Sequence, residues 1–179
     1  MASALVLAGA PLVLAARRAF PPTHAAGAPP EVRIAQFSDA GEKLGVTPVP
    51  KIHKPEAEWR KQLSPVAFAV TRHSDTEFAF SGAYWNLHEK GLFRCICCDT
   101  ALFSSKAKFD SGTGWPSFWE PIAPENVGGR DGKAAGPRDT EVTCQRCDAH
   151  LGDLFDDGPR PTGLRYCIDS AALRFVKPA

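Results

Sequence analysis

From residue 54 onward the apolar positions change rhythm. Pro55, followed by Glu56, Glu58, Trp59 and Leu63, reads as a helix with proline in its first turn and acids at its positive end. Ser64-Pro65 then opens a second short helix, with Ser64 as cap, Val66, Phe68 and Ala69 facing inward, and Arg72 near its end. After Asp75 the texture shortens. Apolar and aromatic stretches sit between turn residues at Leu92–Ile96, Ala101–Phe103, Ser117–Ile122, Glu141–Cys144, Leu164–Ile168 and Ala172–Val176. Leu173 and Phe175 alternate with Arg174, the period of a half-buried strand. The pattern predicts a mainly β domain over residues 54–179, antiparallel, with short N-terminal helices. The Gly-, Pro- and charge-rich segment Glu125–Asp139 reads as an exposed loop.

Upstream the signal fades. Residues 31–53 hold spaced apolar positions at Ile34, Phe37 and Leu44, then Pro48 and Pro50, and read as a linker. Residues 1–30 contain no acid, ten alanines, and the pair Arg17-Arg18 after the apolar stretch rather than before it. A secretory signal carries its positive charge first, so this order suits an organelle transit peptide. Only Ser3 and Thr23 supply hydroxyls there, which favours the mitochondrion, with the plastid as alternative.

Composition narrows the classes. The chain has 179 residues, 44% apolar and 23% charged, as expected for a globular protein of about one to one-and-a-half domains. The net charge of +1 argues against a phosphate-binding surface and hence against nucleic acid as partner. The longest apolar run, Ala2–Ala16, is broken by Gly9 and Pro11 and is short for a membrane span. Six cysteines are too few for a disulfide scaffold.

Four of those cysteines form two knuckles, Cys95-x-x-Cys98 and Cys144-x-x-Cys147. A two-residue gap lets both sulfurs of a knuckle face one ion, and four thiolates complete a closed tetrahedral Zn2+ site. Because 45 residues separate Cys98 from Cys144, one zinc per chain would act as a structural staple between distant segments. Redox dithiols of this spacing open a helix in a βαβ context, which is missing here. Cys97 has no role in this scheme. Cys167, two residues after Arg165, reads either as a strand packing thiol or as a nucleophile whose pKa the arginine lowers.

Four separated segments bear on that choice: Phe109–Phe118 with its Gly114-Trp115-Pro116 centre, Ala149-His150-Leu151-Gly152, Phe155-Asp156-Asp157-Gly158-Pro159, and Arg165-Tyr166-Cys167. In this order they resemble the methionine-R-sulfoxide reductases of type B, over about Lys54 to Phe175. The resemblance implies two small antiparallel sheets with short N-terminal helices. It implies an enzyme that reduces methionine-R-sulfoxide in oxidised proteins, with Cys167 as nucleophile passing through a sulfenic acid. Trp115 matches the aromatic residue that packs on the substrate methyl, while Arg165 and Asp157 match residues supporting the nucleophile. His150 matches the first histidine of a His-Leu-Gly-His element. The zinc knuckles match the metal-containing members. Thioredoxin, or glutathione with a glutaredoxin, would be the reductant.

The chain departs from this family in three places. Asp153 stands at the second histidine, Asp169 at an asparagine two residues after the nucleophile, and Thr113 where many members carry a resolving cysteine. If Asp153 and Asp169 share one proton, the neutral carboxyl can protonate the sulfoxide oxygen, and an acid-shifted pH bell is expected. If both ionise, the thiolate is disfavoured. Two rival readings follow: a low-activity or regulatory member of the same fold, and a zinc-ribbon nucleic-acid module.

Overall fold

The computed structural model describes residues 29–129 and 141–178. Residues 1–28, most of the segment read as a transit peptide, and residues 130–140, which include most of the expected loop, lie outside the described residues.

Both helices begin where the sequence placed them. α1 spans Glu56–Gln62 behind Pro55 and carries Glu56 and Glu58 in its first turn. α2 spans Pro65–His73, and the Ser64 hydroxyl accepts the Ala67 N–H at 3.2 Å. Its buried face is Ala67, Phe68, Val70 and Thr71, whereas Val66 is exposed and Ala69 is half-buried. Position 66 falls within the helix's first turn, on the side away from the core.

Eleven strands follow in chain order among the described residues: β1 (Glu31–Phe37), β2 (Lys43–Pro50), β3 (Leu92–Cys95), β4 (Ala101–Ser104), β5 (Lys108–Phe109), β6 (Ser117–Phe118), β7 (Val127–Gly128), β8 (Glu141–Cys144), β9 (His150–Phe155), β10 (Arg165–Ile168) and β11 (Leu173–Val176). Two antiparallel sheets form the body of the domain, in the orders β11-β3-β4 and β5-β6-β10-β9-β8-β7. They meet through aromatic rings. Phe103 of the first sheet stacks on Phe118 of the second at 4.4 Å, and Phe93 meets Phe118 edge-on at 5.0 Å. All three are fully buried. Such ring pairs contribute about 0.5–1.5 kcal/mol each beyond the area they bury.

The segment read as a linker is instead a third, two-stranded sheet, β1 against β2. Its prolines obscured it. The Lys51 N–H donates to the Pro30 carbonyl at 2.8 Å, so odd-numbered amides of β2 face β1. Pro48 and Pro50, at even positions, turn their missing donors outward, where the ladder needs none. Buried Asn126 fastens this hairpin to the domain: its Oδ1 accepts from Ala35 N at 2.8 Å, and its Nδ2 donates to the carbonyls of Ala35 and Ala101 at 2.8 and 2.7 Å. Arg94 adds bonds to the Phe37 carbonyl at 2.9 Å and to Asp39 at 2.8 Å. Asn126 to Gly129, at the start of the segment read as an exposed loop, are likewise buried.

Candidate active site and metal centre

β3 of the small sheet ends at Cys95, and β8 of the large sheet ends at Cys144. Each is followed by the same turn. Asp99 and Asp148, one residue past each knuckle, adopt left-handed φ values of 64° and 54°, which aspartate tolerates. Their N–H groups return to the carbonyls of Cys95 and Cys144, while the amides of those cysteines donate to Thr100 and Ala149. Two equivalent turns therefore present two sulfurs each, and the four Sγ atoms of Cys95, Cys98, Cys144 and Cys147 lie within 4.8 Å of one another. The Cys95–Cys147 and Cys98–Cys144 separations are 3.7 and 3.5 Å. A tetrahedron with metal–sulfur bonds of about 2.3 Å has edges of about 3.8 Å, so the cluster fits a bound metal ion. The Cys144 sulfur and burial push the Cys95 and Cys147 thiols well above the ordinary range, so four thiolates require a cation to neutralise them. Cys97, buried, packs its sulfur beside Cys147 and Cys95 on this cluster.

The second constellation lies on the large sheet. Cys167 on β10 stands opposite Ser117 of β6 and Asp153 of β9. Close approach of β9 depends on Gly152: with φ at 145°, its imagined Cβ would lie 2.1 Å from the Cys167 carbonyl. A cleft of about 140 Å3 opens here, lined by Thr76, Trp115, Gly152, Asp153, Phe155, Cys167 and Asp169. The Thr113 hydroxyl lies 3.9 Å from Cys167 Sγ. Two positions along the ladder, Arg165 opposes Phe155, and its guanidinium lies over that ring at 4.2 Å. Asp157 grips the guanidinium with both oxygens, at 2.7 and 2.8 Å. That grip holds the Asp157 carboxyl below its usual range.

The electrostatics differ from the sequence expectation. Burial raises the Cys167 thiol rather than lowering it; the Thr113 hydroxyl and the Arg165 charge pull the other way without overcoming it. Asp169 is 2% exposed, and burial lifts its carboxyl to about 7; the Glu77 N–H pulls it down, while the charges of Glu77 and Asp153 add to the rise. His150 is not in this cleft. Its Nδ1 meets Glu141 at 2.9 Å, and it lines a separate pocket with Trp59, Arg72, His73 and Asp148.

One further residue is tied into the cleft without a sequence signal. Glu77, a lone acid in the loop after α2, donates its N–H to Asp169 at 2.9 Å and accepts the Trp115 indole N–H on its carbonyl at 3.1 Å.

A family model, the SelR domain, matches residues 63–177. That stretch runs from the residue after α1 to the residue after β11 and includes both constellations. The chain belongs to the SelR domain family. Its SelR domain is similar to a "Peptide methionine sulfoxide reductase MsrB" of Herminiimonas arsenicoxydans, 56% identical over 125 residues, covering 70% of this chain and 91% of that one. A protein of the same description from a Synechococcus species is 53% identical over 120 residues, covering 67% and 88%. "Peptide methionine sulfoxide reductase B1, chloroplastic" of Oryza sativa subsp. japonica is 52% identical over 122 residues, covering 68% and 57%. SelR membership and the sheet architecture agree with the mainly β, short-helix fold expected from the sequence.

Proposed function

We propose that Cys167 is the nucleophile of this peptide-methionine (R)-S-oxide reductase and that the Trp115–Asp153–Asp169 cleft is its substrate site. The observation that supports it most is the juxtaposition in one small cleft of a thiol, an indole and two acids. A sulfoxide has one apolar methyl and one strongly accepting oxygen. Trp115 offers the methyl an aromatic face, and a neutral Asp169 offers the oxygen a proton. The Cys167 thiolate attacks the sulfoxide sulfur as that proton reaches the oxygen. The sulfur–oxygen bond then breaks, an Sγ–O bond forms, and methionine leaves. The balance is one thiol and one sulfoxide giving one sulfenic acid and one thioether. Arg165, oriented by Asp157, places positive charge beside the thiolate.

Two equivalents of external thiol return the sulfenic acid to thiol with loss of water; thioredoxin, or glutathione with a glutaredoxin, is the proposed donor. Thr113 at the resolving position favours a cycle with Cys167 alone. The four-cysteine cluster is proposed to hold one Zn2+ per chain. Saturated by Cys95, Cys98, Cys144 and Cys147, the ion would link β3 to β8 and take no part in the reaction. Residues 1–30 are proposed as a mitochondrial leader; the rice relative's description as chloroplastic keeps the plastid as the alternative. Among the described residues no helix is long and apolar enough to cross a membrane.

A second reading, a low-activity or regulatory member, is favoured by the raised Cys167 thiol facing two acids. Reduction of a peptide R-sulfoxide, with sulfenic acid trapped on Cys167 after one turnover, supports the first reading. Substrate binding without turnover supports the second.

A further inference from the structure

We infer that Glu77 is a positioning residue of this cleft: its buried carboxylate locks the turn after Cys167 and thereby sets Trp115 and Asp169 against the thiol. The inference rests on the reductase reading above.

A carboxylate withdrawn from water must be repaid in hydrogen bonds. Glu77 is 9% exposed. Its Oε1 accepts the Ser170 N–H at 2.6 Å and its Oε2 the Ala171 N–H at 3.0 Å. These amides open the 3-10 turn Ser170–Ala172, which directly follows Asp169. No bulk can be added beside the carboxylate: a Cβ on Gly82 would come within 2.3 Å of Oε1.

The backbone of the same residue faces the other way. Its N–H holds the Asp169 carboxylate and its carbonyl holds the Trp115 indole. Fixing the side chain on the turn therefore fixes the heights of the ring and the acid in the cleft. A turn cap with no wider role would not contact both. The charged groups facing Asp169 are Glu77 and Asp75 from the loop after α2, Asp153 from β9, and Cys167 from β10. Removing the Glu77 charge takes away one of the influences that keep Asp169 protonated.

The test uses the metal-loaded full chain with Glu77→Gln, and Asp169→Asn to assign the signal. Carboxyl carbon NMR reads the Asp169 titration, and steady-state kinetics on a peptide R-sulfoxide read KM and kcat. The Asp169 midpoint is expected to drop as the Glu77 charge is lost, and the acid limb of kcat/KM to follow it. KM is expected to rise several-fold more than kcat falls, because a neutral amide accepts only one of the two turn amides and places the loop whose carbonyl holds Trp115 less firmly. A wild-type midpoint together with a wild-type KM, in a variant that melts like the parent, overturns the inference. Should Glu77→Gln fail to fold, Glu77→Asp keeps the charge and shortens the reach. A raised KM with an unmoved Asp169 midpoint then supports positioning, and an unchanged KM overturns it. No reduction of the R-sulfoxide by the parent chain would instead remove the reductase reading, and full turnover by Cys167→Ser would remove Cys167 as its nucleophile, while the shift in the Asp169 titration would still stand in either case.

Discussion

Asp153 and Cys167 stand directly opposite each other on the β9–β10 ladder, so an acid and a thiol share one rung of the sheet. Across a rung, Cβ atoms approach to about 4.5–5.5 Å, and the Asp153 charge adds to the rise of the Asp169 carboxyl. Asp169, two residues beyond Cys167, borders the same cleft.

The pH profile follows from the order of these titrations. The reactive state carries one proton shared between Asp169 and Cys167, whichever of them holds it. With Asp169 at about 7 and the thiol raised above its ordinary value, that state dominates from about pH 7 upward. Below that range both groups are protonated; above the thiol's range neither is. The kcat/KM bell should therefore lie to the alkaline side, not the acidic side expected from the sequence alone. Asp169→Asn should abolish the acid limb near 7. An identical limb in that variant would show that Asp169 does not touch the chemistry.

The acids as a pair give a second measurement. If they only hinder the thiolate, the double change Asp153→His with Asp169→Asn raises kcat/KM by about tenfold, since one pKa unit is about 1.4 kcal/mol. If they share the catalytic proton, the double change lowers it. Steady-state rates at fixed pH decide between the two.

Cys167→Ser should abolish reduction and leave metal content unchanged, because Cys167 lies outside the four-sulfur cluster. The parent should consume the R epimer and leave the S epimer. Chiral separation of a sulfoxide peptide after reaction reads this directly, and equal loss of both epimers would rule out the proposed site geometry.

Cys95→Ser should release the ion and destabilise the fold far more than a surface change, since the cluster joins β3 to β8 across the two main sheets. Elemental analysis and thermal melting check both effects. Absence of zinc from protein purified without chelators would refute the proposed ion.

Recycling is testable by adding a thiol. Mass spectrometry of the oxidised parent should find no Cys97–Cys167 disulfide, because the Cys97 sulfur packs on the four-cysteine cluster beside Cys147 and Cys95. Thr113→Cys places a sulfur where a hydroxyl now lies 3.9 Å from Cys167 Sγ. That variant should form an internal disulfide at high yield on turnover.

The hairpin offers a stability test. Asn126→Ala strands the N–H and carbonyl of Ala35 and the carbonyl of Ala101. With buried unsatisfied groups costing about 1–3 kcal/mol each, a loss of about 3 kcal/mol or more is expected in chemical denaturation.

Local chemistry determined much of this molecule before any tertiary contact. The caps at Pro55 and Ser64, the two Cys-x-x-Cys-Asp turns, and the short alternating strands are written in neighbouring residues, because turns and caps are satisfied within a few positions. Other features required partners distant in sequence. β1 and β2 were hidden because Pro48 and Pro50 read as breakers until the ladder shows their nitrogens facing outward. β9, at the centre of the large sheet, was missed because Gly152 and Asp153 break its apolar pattern, and only the approach to the Cys167 carbonyl explains the glycine. His150 carries the right motif yet faces Glu141, since motif order does not fix side-chain direction on a bulged strand. Glu77 gave no signal at all: a lone acid in a loop is ordinary, and only burial against Ser170 and Ala171 distinguishes it. The same holds for Asp169 and Cys167. Residue type sets their ordinary pKa values, but desolvation moves them, and desolvation exists only once the sheets have closed around them.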